Sequence, residues 1–375
     1  MILKNRIITK KITGEGLTFS FLDSGDIHDI TYQDNQINLV KGNIVDGTLM
    51  NLYLRQMTND GMRFVKLIGT NSPSSFELFD HYAVYHGTFL NIEYQVILSI
   101  NNFEWNFDIL LRAEGQAEVD LFYGQDIGIA AKSSVLSSEP YTVQYIDYKS
   151  NMSENGYILS ARQNQGRSQY LQLGSFTKNV GFSTDGFQFF KTSYKETGVP
   201  GVLYDLNLAS EIYQYEFSYM ALQSDKIKLN KEFQRVSFYG LYVPENVEPS
   251  ALLFDVKPIH NDISWIQKDY NLVKTNLLNS SHVLSGKSLS NQEVEGLFDD
   301  MHHIEKAKNT YLSFFSNHHH HVVLKDKELL VERPHGHLMI HGDIKHVSEN
   351  VMATTNFMFG LFNSHLVLGN TSFNK

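Results

Sequence analysis

The chain has no cysteine, which removes disulfides and thiolate metal sites together. No run reaches the ~18 apolar residues of a membrane-spanning helix. The opening MILKNRIITKKITGEG is interrupted by charge and holds no apolar stretch of signal-peptide length. A soluble protein, with the cytoplasm as its compartment, is the expectation. Positive charge is short: the formal net charge is -10, so the basic face that a phosphate backbone requires is missing and nucleic acid is not expected as the main partner. Also missing are a phosphate-cradling GxxxxGK[ST], a GxSxG elbow, a GxGxxG fingerprint, an HExxH pair and any clear internal repeat.

What is present points to strands. Hydrophobic residues make up 42% and charged residues 19%, the balance of a folded globular protein. Aromatic residues reach 13%, as 25 Phe and 20 Tyr against two Trp, and flat rings suit a pleated surface. Short alternating runs with Gly, Asp and Asn between them recur over the first 240 or so residues: Leu17–Phe21, Ile37–Val40, Leu49–Leu54, Arg63–Ile68, Tyr82–Tyr85, Leu90–Ile100, Trp105–Leu111, Tyr141–Tyr148, Gly156–Arg162, Val180–Phe190, Glu211–Gln223 and Val236–Val243. This pattern predicts a mainly β fold, a large antiparallel β-sandwich, over 1–258, with a small β subdomain over 1–55 and the larger sandwich over 56–258. Pro244, Pro249 and Pro258 then mark a change of composition. Ile263, Ile266, Tyr270, Val273 and Leu277 follow helical spacing, and Ser290-Asn291-Gln292-Glu293 has the form of a capping box opening a helix toward Phe314. The expectation for 259–316 is a helical linker. Strands return at His318–Leu324, Glu328–Glu332 and His337–His341, and 350–362 reads as the start of another helix.

Eleven of the 16 histidines lie between His302 and His365. On a strand, alternate members of His318-His319-His320-His321 face opposite sides, so no more than two share one metal; no metal is expected. Arg333-Pro334-His335-Gly336-His337 places a fixed φ and a permissive glycine beside one guanidinium and two imidazoles. It reads equally as a site for an anion or a sugar hydroxyl and as a solvated turn. Asn363, His365, Asn370 and Asn374 carry donors and acceptors that suit sugar hydroxyls, although such residues more often build turns. Paired carboxylates are the usual machinery for cutting glycosidic bonds, and Asp126, Asp147, Asp185 and Asp205 lie near glycines or strand ends, where a turn role is the commoner one. Arg162-Gln163-Asn164-Gln165 and Ser183–Phe189 are polar–aromatic mixtures compatible with a sugar surface.

Several segments together resemble one family. Leu67–Ser74, Tyr141–Asp147, Arg162–Gln165, Thr184–Phe190, Leu324–His337 and Phe359–Asn374 look like the N-terminal half of the 1,2-β-oligoglucan phosphorylases, relatives of cellobiose phosphorylase in glycoside hydrolase family 94. The resemblance implies a supersandwich similar to galactose mutarotase, a helical linker, and an (α/α)6 barrel, whose start falls at 317–375. It implies inverting phosphorolysis of β-glucan oligosaccharides by inorganic phosphate to α-glucose 1-phosphate, without metal or organic cofactor. The general acid is a barrel Asp to which no residue of this sequence is matched, so the chain is expected to be a fragment that is inactive alone. Arg333 and His335 would lie on the approach to the sugar site, with Asn363, His365, Asn370 and Asn374 at its entrance. A homodimer, or a separate chain carrying the barrel, is the implied partner. A stand-alone carbohydrate-binding or structural protein and one half of a split enzyme are the alternatives.

Overall fold

The computed structural model describes residues 10–13, 16–42, 47–214, 217–245, 247–249, 253–267, 292, 295–296, 300–307, 310–316, 319–324, 328–333, 336–341 and 346–349. The chain divides into two compact units, Thr9–Lys274 and, joined by Met1–Ile8, Thr275–Lys375.

Strands of the larger unit run in the order β1 (Lys10–Thr13), β2 (Thr18–Phe21), β3 (Ile27–Tyr32), β4 (Asn35–Gln36), β5 (Asn51–Thr58), β6 (Gly61–Lys66), β7 (Ser75–Leu78), β8 (Tyr82–Phe89), β9 (Ile92–Asn101), β10 (Glu104–Ala113), β11 (Ala117–Asp126) and β12 (Ala130–Ala131). Two short helices follow, α1 (Lys132–Ser137) and α2 (Glu139–Val143), then β13 (Ile146–Ser153), β14 (Gly156–Gln163), β15 (Tyr170–Ser175) and β16 (Asn179–Asp185). After α3 (Gly186–Phe190), α4 (Tyr194–Thr197) and a 3-10 turn at Gly201–Tyr204 come β17 (Ser218–Ser224), β18 (Ile227–Leu229) and β19 (Gln234–Val243). They form an eight-stranded sheet, β13-β14-β15-β19-β10-β9-β8-β7; a six-stranded one, β16-β17-β11-β5-β6, with β18 beside β11; and a small five-stranded one, β1-β2-β3-β4-β12. The pairings read antiparallel throughout, as in β10 with β9 and β11 with β5.

The two large sheets face one another across an aromatic core. Trp105, Phe107, Ile109 and Leu111 alternate along β10 and are fully buried. Trp105 Nε1 donates to Tyr123 Oη on β11 at 3.0 Å, and Tyr123 packs against Phe107 and Phe238. Burial raises the Tyr123 hydroxyl far above its ordinary pKa.

Both outer faces are covered as well. On the six-stranded sheet the side chain of Arg55 is entirely buried, paired with Asp120 through Nε at 2.8 Å and Nη2 at 2.6 Å. Its remaining donors go to the carbonyls of Leu203, Asp205 and Leu206, and Phe122 lies 4.6 Å from its guanidinium carbon. A buried guanidinium is stable only when every donor is used, and here those donors fix the loop that follows the 3-10 turn. On the eight-stranded sheet, residues 253–267 cross the strands as an extended strap. Gln172 exchanges two hydrogen bonds with the backbone of Phe254, at 3.0 and 3.1 Å. Asn106, with its amide oriented by its partners, accepts from Ile259 N at 2.9 Å. Arg235 donates to the carbonyls of His260 and Asn261, and Gln95 exchanges two bonds with Ile266 at 2.9 and 3.0 Å. Ile263, Trp265 and Ile266 pack onto Val84, Ile97 and Leu110.

The strap corrects one expectation of the sequence: 262–267 are extended rather than helical, because side chains of the sheet take the backbone bonds that a helix would make internally. The rest of that expected helix lies outside the described residues. The helix expected from Ser290 toward Phe314 is borne out at its start, where Gln292, Glu295 and Gly296 are helical, and corrected beyond it, since β20 (His302–Ala307) and β21 (Thr310–Ser316) are strands paired antiparallel. They continue into β22 (His319–Leu324) and, after the hairpin of β23 (Glu328–Arg333) and β24 (Gly336–His341), β25 (His346–Glu349). Among its described residues the smaller unit thus holds a four-stranded sheet, β20-β21-β22-β25, and a two-stranded one, β23-β24. The strands expected from His318, Glu328 and His337 are all found there. Ile37–Val40 is buried but irregular, and the helix expected over 350–362 lies outside the described residues. Among the described residues no helix is long and apolar enough to cross a membrane.

Candidate functional site

Of the six residues expected at a sugar site, only Arg333 is described. It ends β23, where its partner across the hairpin is Gly336. His335, Asn363, His365, Asn370 and Asn374 lie outside the described residues. The four candidate acids each serve a local structural bond. Asp126 is buried and accepts from Val40 N at 2.7 Å, Asp185 caps α3, and Asp205 pairs with Lys191. Among the described residues no group of three or more His, Asp or Glu is placed to hold a metal.

The polar segment 162–165 meets Asp147. Asp147 on β13 lies opposite Arg162 on β14. Asn164, just past the end of β14, donates to Asp147, and Gln214 reaches the same carboxylate at 3.5 Å. Arg162 holds Asn164 from the other side, donates through Nε to Val247 O at 2.6 Å and through Nη2 to Ser168 at 3.0 Å. Each of its three nitrogens thus donates one bond.

Aromatic rings flank this line of side chains. Tyr141 is held outward by α2, whose first turn contains Pro140 and whose cap, Ser138, accepts from Tyr141 N at 3.2 Å. It is 50% exposed, leans edge-on against Tyr145 at 5.2 Å, and accepts from Gln165 Nε2 at 3.2 Å. On the other side Tyr213 is 43% exposed. Its backbone is locked to Thr184 Oγ1 by bonds of 2.8 and 3.0 Å, and its hydroxyl donates to Glu211 at 2.8 Å. The bond to that carboxylate raises the Tyr213 pKa.

Asp185 fixes the floor between β16 and β17. One oxygen accepts from Gln188 N at 2.9 Å to cap α3, and the other accepts from Phe217 N at 3.2 Å. Gly186 is needed beside it, because a Cβ there would overlap the ring of Phe217. A shallow depression lined by Tyr148, Thr184, Asp185, Tyr213, Gln214 and Ser218 lies at this point. Gln188 Oε1, next to Tyr213, is a buried acceptor without a partner. The cluster offers neutral hydrogen-bonding groups and ring faces; its carboxylates are each bonded to a neighbour.

The segments 162–165 and 183–189 stand out in the sequence, whereas 141–148 and 211–223 read there as plain strands, which leaves Tyr141, Tyr213 and Gln214 unmarked as surface residues. The signal for Tyr141 was legible in Ser138-Glu139-Pro140, a helix start. The segment Leu67–Ser74 proves to be structural. Asp26, fully buried, accepts from Thr70 N and Oγ1 at 2.7 Å, from Thr48 N at 3.0 Å and from Ser24 Oγ at 2.5 Å. Gly69 stands at φ +73°, where a side chain would run into the Asp26 carboxylate.

Comparison with known proteins adds the following. Residues 20–240 match the family model described as the SOGP N-terminal domain, and residues 298–375 match the one described as the glycoside phosphorylase supersandwich domain. The second match takes in the whole stretch where a barrel start was expected. A 1,2-beta-oligoglucan phosphorylase from Listeria innocua serovar 6a is 31% identical over 98% of this chain, which spans 33% of that protein. Among solved structures, a putative aldose 1-epimerase from Escherichia coli K12 covers 63% of this chain and 98% of its own at 7% identity and a TM-score of 0.37. A putative kojibiose phosphorylase from human microbiome covers 62% and 25%, at 10% identity and a TM-score of 0.29.

Proposed function

Because the chain belongs to the SOGP N-terminal domain family, we propose that it forms the front portion of an inverting phosphorylase of β-1,2-linked gluco-oligosaccharides. The observation that carries this reading is the likeness to the Listeria phosphorylase, which runs through both units of the chain. The substrates are then a β-glucan oligosaccharide and inorganic phosphate, and the product is α-glucose 1-phosphate, with no cofactor. The catalytic Asp belongs to a barrel, which would follow the two β units as a further domain, and the 375 residues alone carry out no phosphorolysis. Arg333 and His335 stay as proposed contacts on the approach to the sugar site, and Asn363, His365, Asn370 and Asn374 as contacts at its entrance. The cytoplasm is the proposed compartment, and a second copy or a barrel-bearing chain the proposed partner.

The cluster around Asp147 favours a second reading, in which these units serve as a carbohydrate-binding or structural module. The test begins with the coding DNA beyond the Lys375 codon, in all frames. A barrel domain with an acidic residue in its cavity, whose expression together with this chain gives phosphate-dependent release of α-glucose 1-phosphate from β-1,2-gluco-oligosaccharides, supports the first reading. Absence of such a domain from that region leaves the second.

A further inference from the structure

We propose that the cluster running from Tyr141 to Tyr213 is a saccharide-binding surface that takes a neutral gluco-oligosaccharide. The choice of glucan rests on the reading above; the location and the neutral, polyhydroxylated character of the ligand come from the geometry.

Three features lead there. First, the polar groups are planar and fixed before any ligand arrives. Asn164, Asp147 and Gln214 form one connected row, and the amides and carboxylate in it carry both donor and acceptor atoms. A sugar ring presents adjacent hydroxyls that donate and accept at once, and a pre-set planar group bridges two of them without losing side-chain freedom on binding. Second, the rings beside the row are pinned by their hydroxyls, Tyr141 to Gln165 and Tyr213 to Glu211, while about half of each stays open to solvent. An aromatic ring held in this way keeps an apolar face available for the C–H face of a pyranose at little conformational cost. Third, charge selects against the obvious competitors. Arg162 places one donor from each of its three nitrogens on Val247, Ser168 and Asn164, which ties the guanidinium to these neighbours. The carboxylates at hand, Asp147, Asp185 and Glu211, repel anions, and they are not grouped for a metal.

The experiment is isothermal titration of the full 375-residue chain with a linear β-1,2-gluco-oligosaccharide and, separately, with a linear β-1,4-gluco-oligosaccharide. Thermal melts serve as a folding check on each variant. The wild-type chain is expected to bind with a Kd in the millimolar to high micromolar range. Tyr213→Ala and Asn164→Ala should each weaken binding by roughly tenfold. Tyr213→Phe, which keeps the ring and drops the bond to Glu211, should lose only about twofold. Met152→Ser, at an exposed position on the β13–β14 hairpin, should bind as the wild type. Binding of the β-1,4 chain with the same sensitivity to Tyr213→Ala supports the surface while removing its linkage preference. Binding that Tyr213→Ala and Asn164→Ala leave unchanged in a folded protein overturns the location and leaves the glucan reading standing. No binding of either sugar overturns the proposal, whether or not a barrel-bearing partner restores phosphorolysis; that assay alone decides the reading above.

Discussion

At the scale of single residues, the chain places several charges and amides where water cannot reach and gives nearly all of them partners. Asp26 binds two distant loops, and Arg55 with Asp120 holds a third. Asp126 is the instructive exception. One of its oxygens accepts from Val40 N, but Oδ1 is buried without a partner, and desolvation pushes its pKa up to about 6. A folded-state pKa above the unfolded value means that the native chain holds a proton which the unfolded chain has released between about pH 4 and 6. This contribution to stability is fully present below about pH 4 and is lost as pH rises through 6. At 1.36 kcal/mol per pKa unit it amounts to about 3 kcal/mol. Asp126→Asn should therefore unfold at higher urea than the wild type at pH 7, with the advantage shrinking toward pH 4. Urea melts of both proteins across that range check the sign, and a pH-independent difference would sink it.

Elements show where the sequence was legible. The alternation Trp105, Phe107, Ile109, Leu111 marks a half-buried strand, and β10 is found where that pattern lies. β11 escaped because Asp120, Gln125 and Asp126 interrupt its apolar residues; their burial becomes intelligible only beside Arg55 and Val40, which are remote in sequence. The strap was misread for a related reason. Ile263 and Ile266 have the spacing of a helical face, yet they fit an extended segment seated on Val84, Ile97 and Leu110, which come from three strands. Nothing local separates those two cases. The candidate surface was half legible: Arg162 and Asn164 lie in a readable run, whereas Tyr213 and Gln214 arrive from a loop that only the β16–β17 pairing brings near. Because the strap hangs on side-chain amides, Gln95→Ala should expose the Ile266 amide. Hydrogen exchange at Ile266 should then quicken by about ten- to a hundredfold, as loss of one or two hydrogen bonds implies, while Trp105 and its neighbours on β10 stay protected. Equal protection in both proteins would show that the Gln95 bonds are not what keeps the Ile266 amide closed.

For the whole molecule, what matters is that two β units follow one another, each with its own sheets. Most of the strands were readable, with β11, β20 and β21 among the exceptions, and the residues ahead of β20 gave a helical signal. The larger unit also contains both tryptophans of the chain, Trp105 and Trp265. One is sealed in the core with its indole bonded to Tyr123; the other lies on the strap, stacked on Phe233 at 4.7 Å, with His86 edge-on at 5.2 Å. Light absorbed at the red edge of the indole band is therefore emitted only from Thr9–Lys274, while the second unit is optically silent at that wavelength. In a guanidinium titration, emission should follow the first unit alone and far-ultraviolet dichroism both, so the two curves should separate if the units melt independently. Trp105→Phe would leave an emission that watches the strap, and Trp265→Phe one that watches the core: two dyes at known positions, already built in.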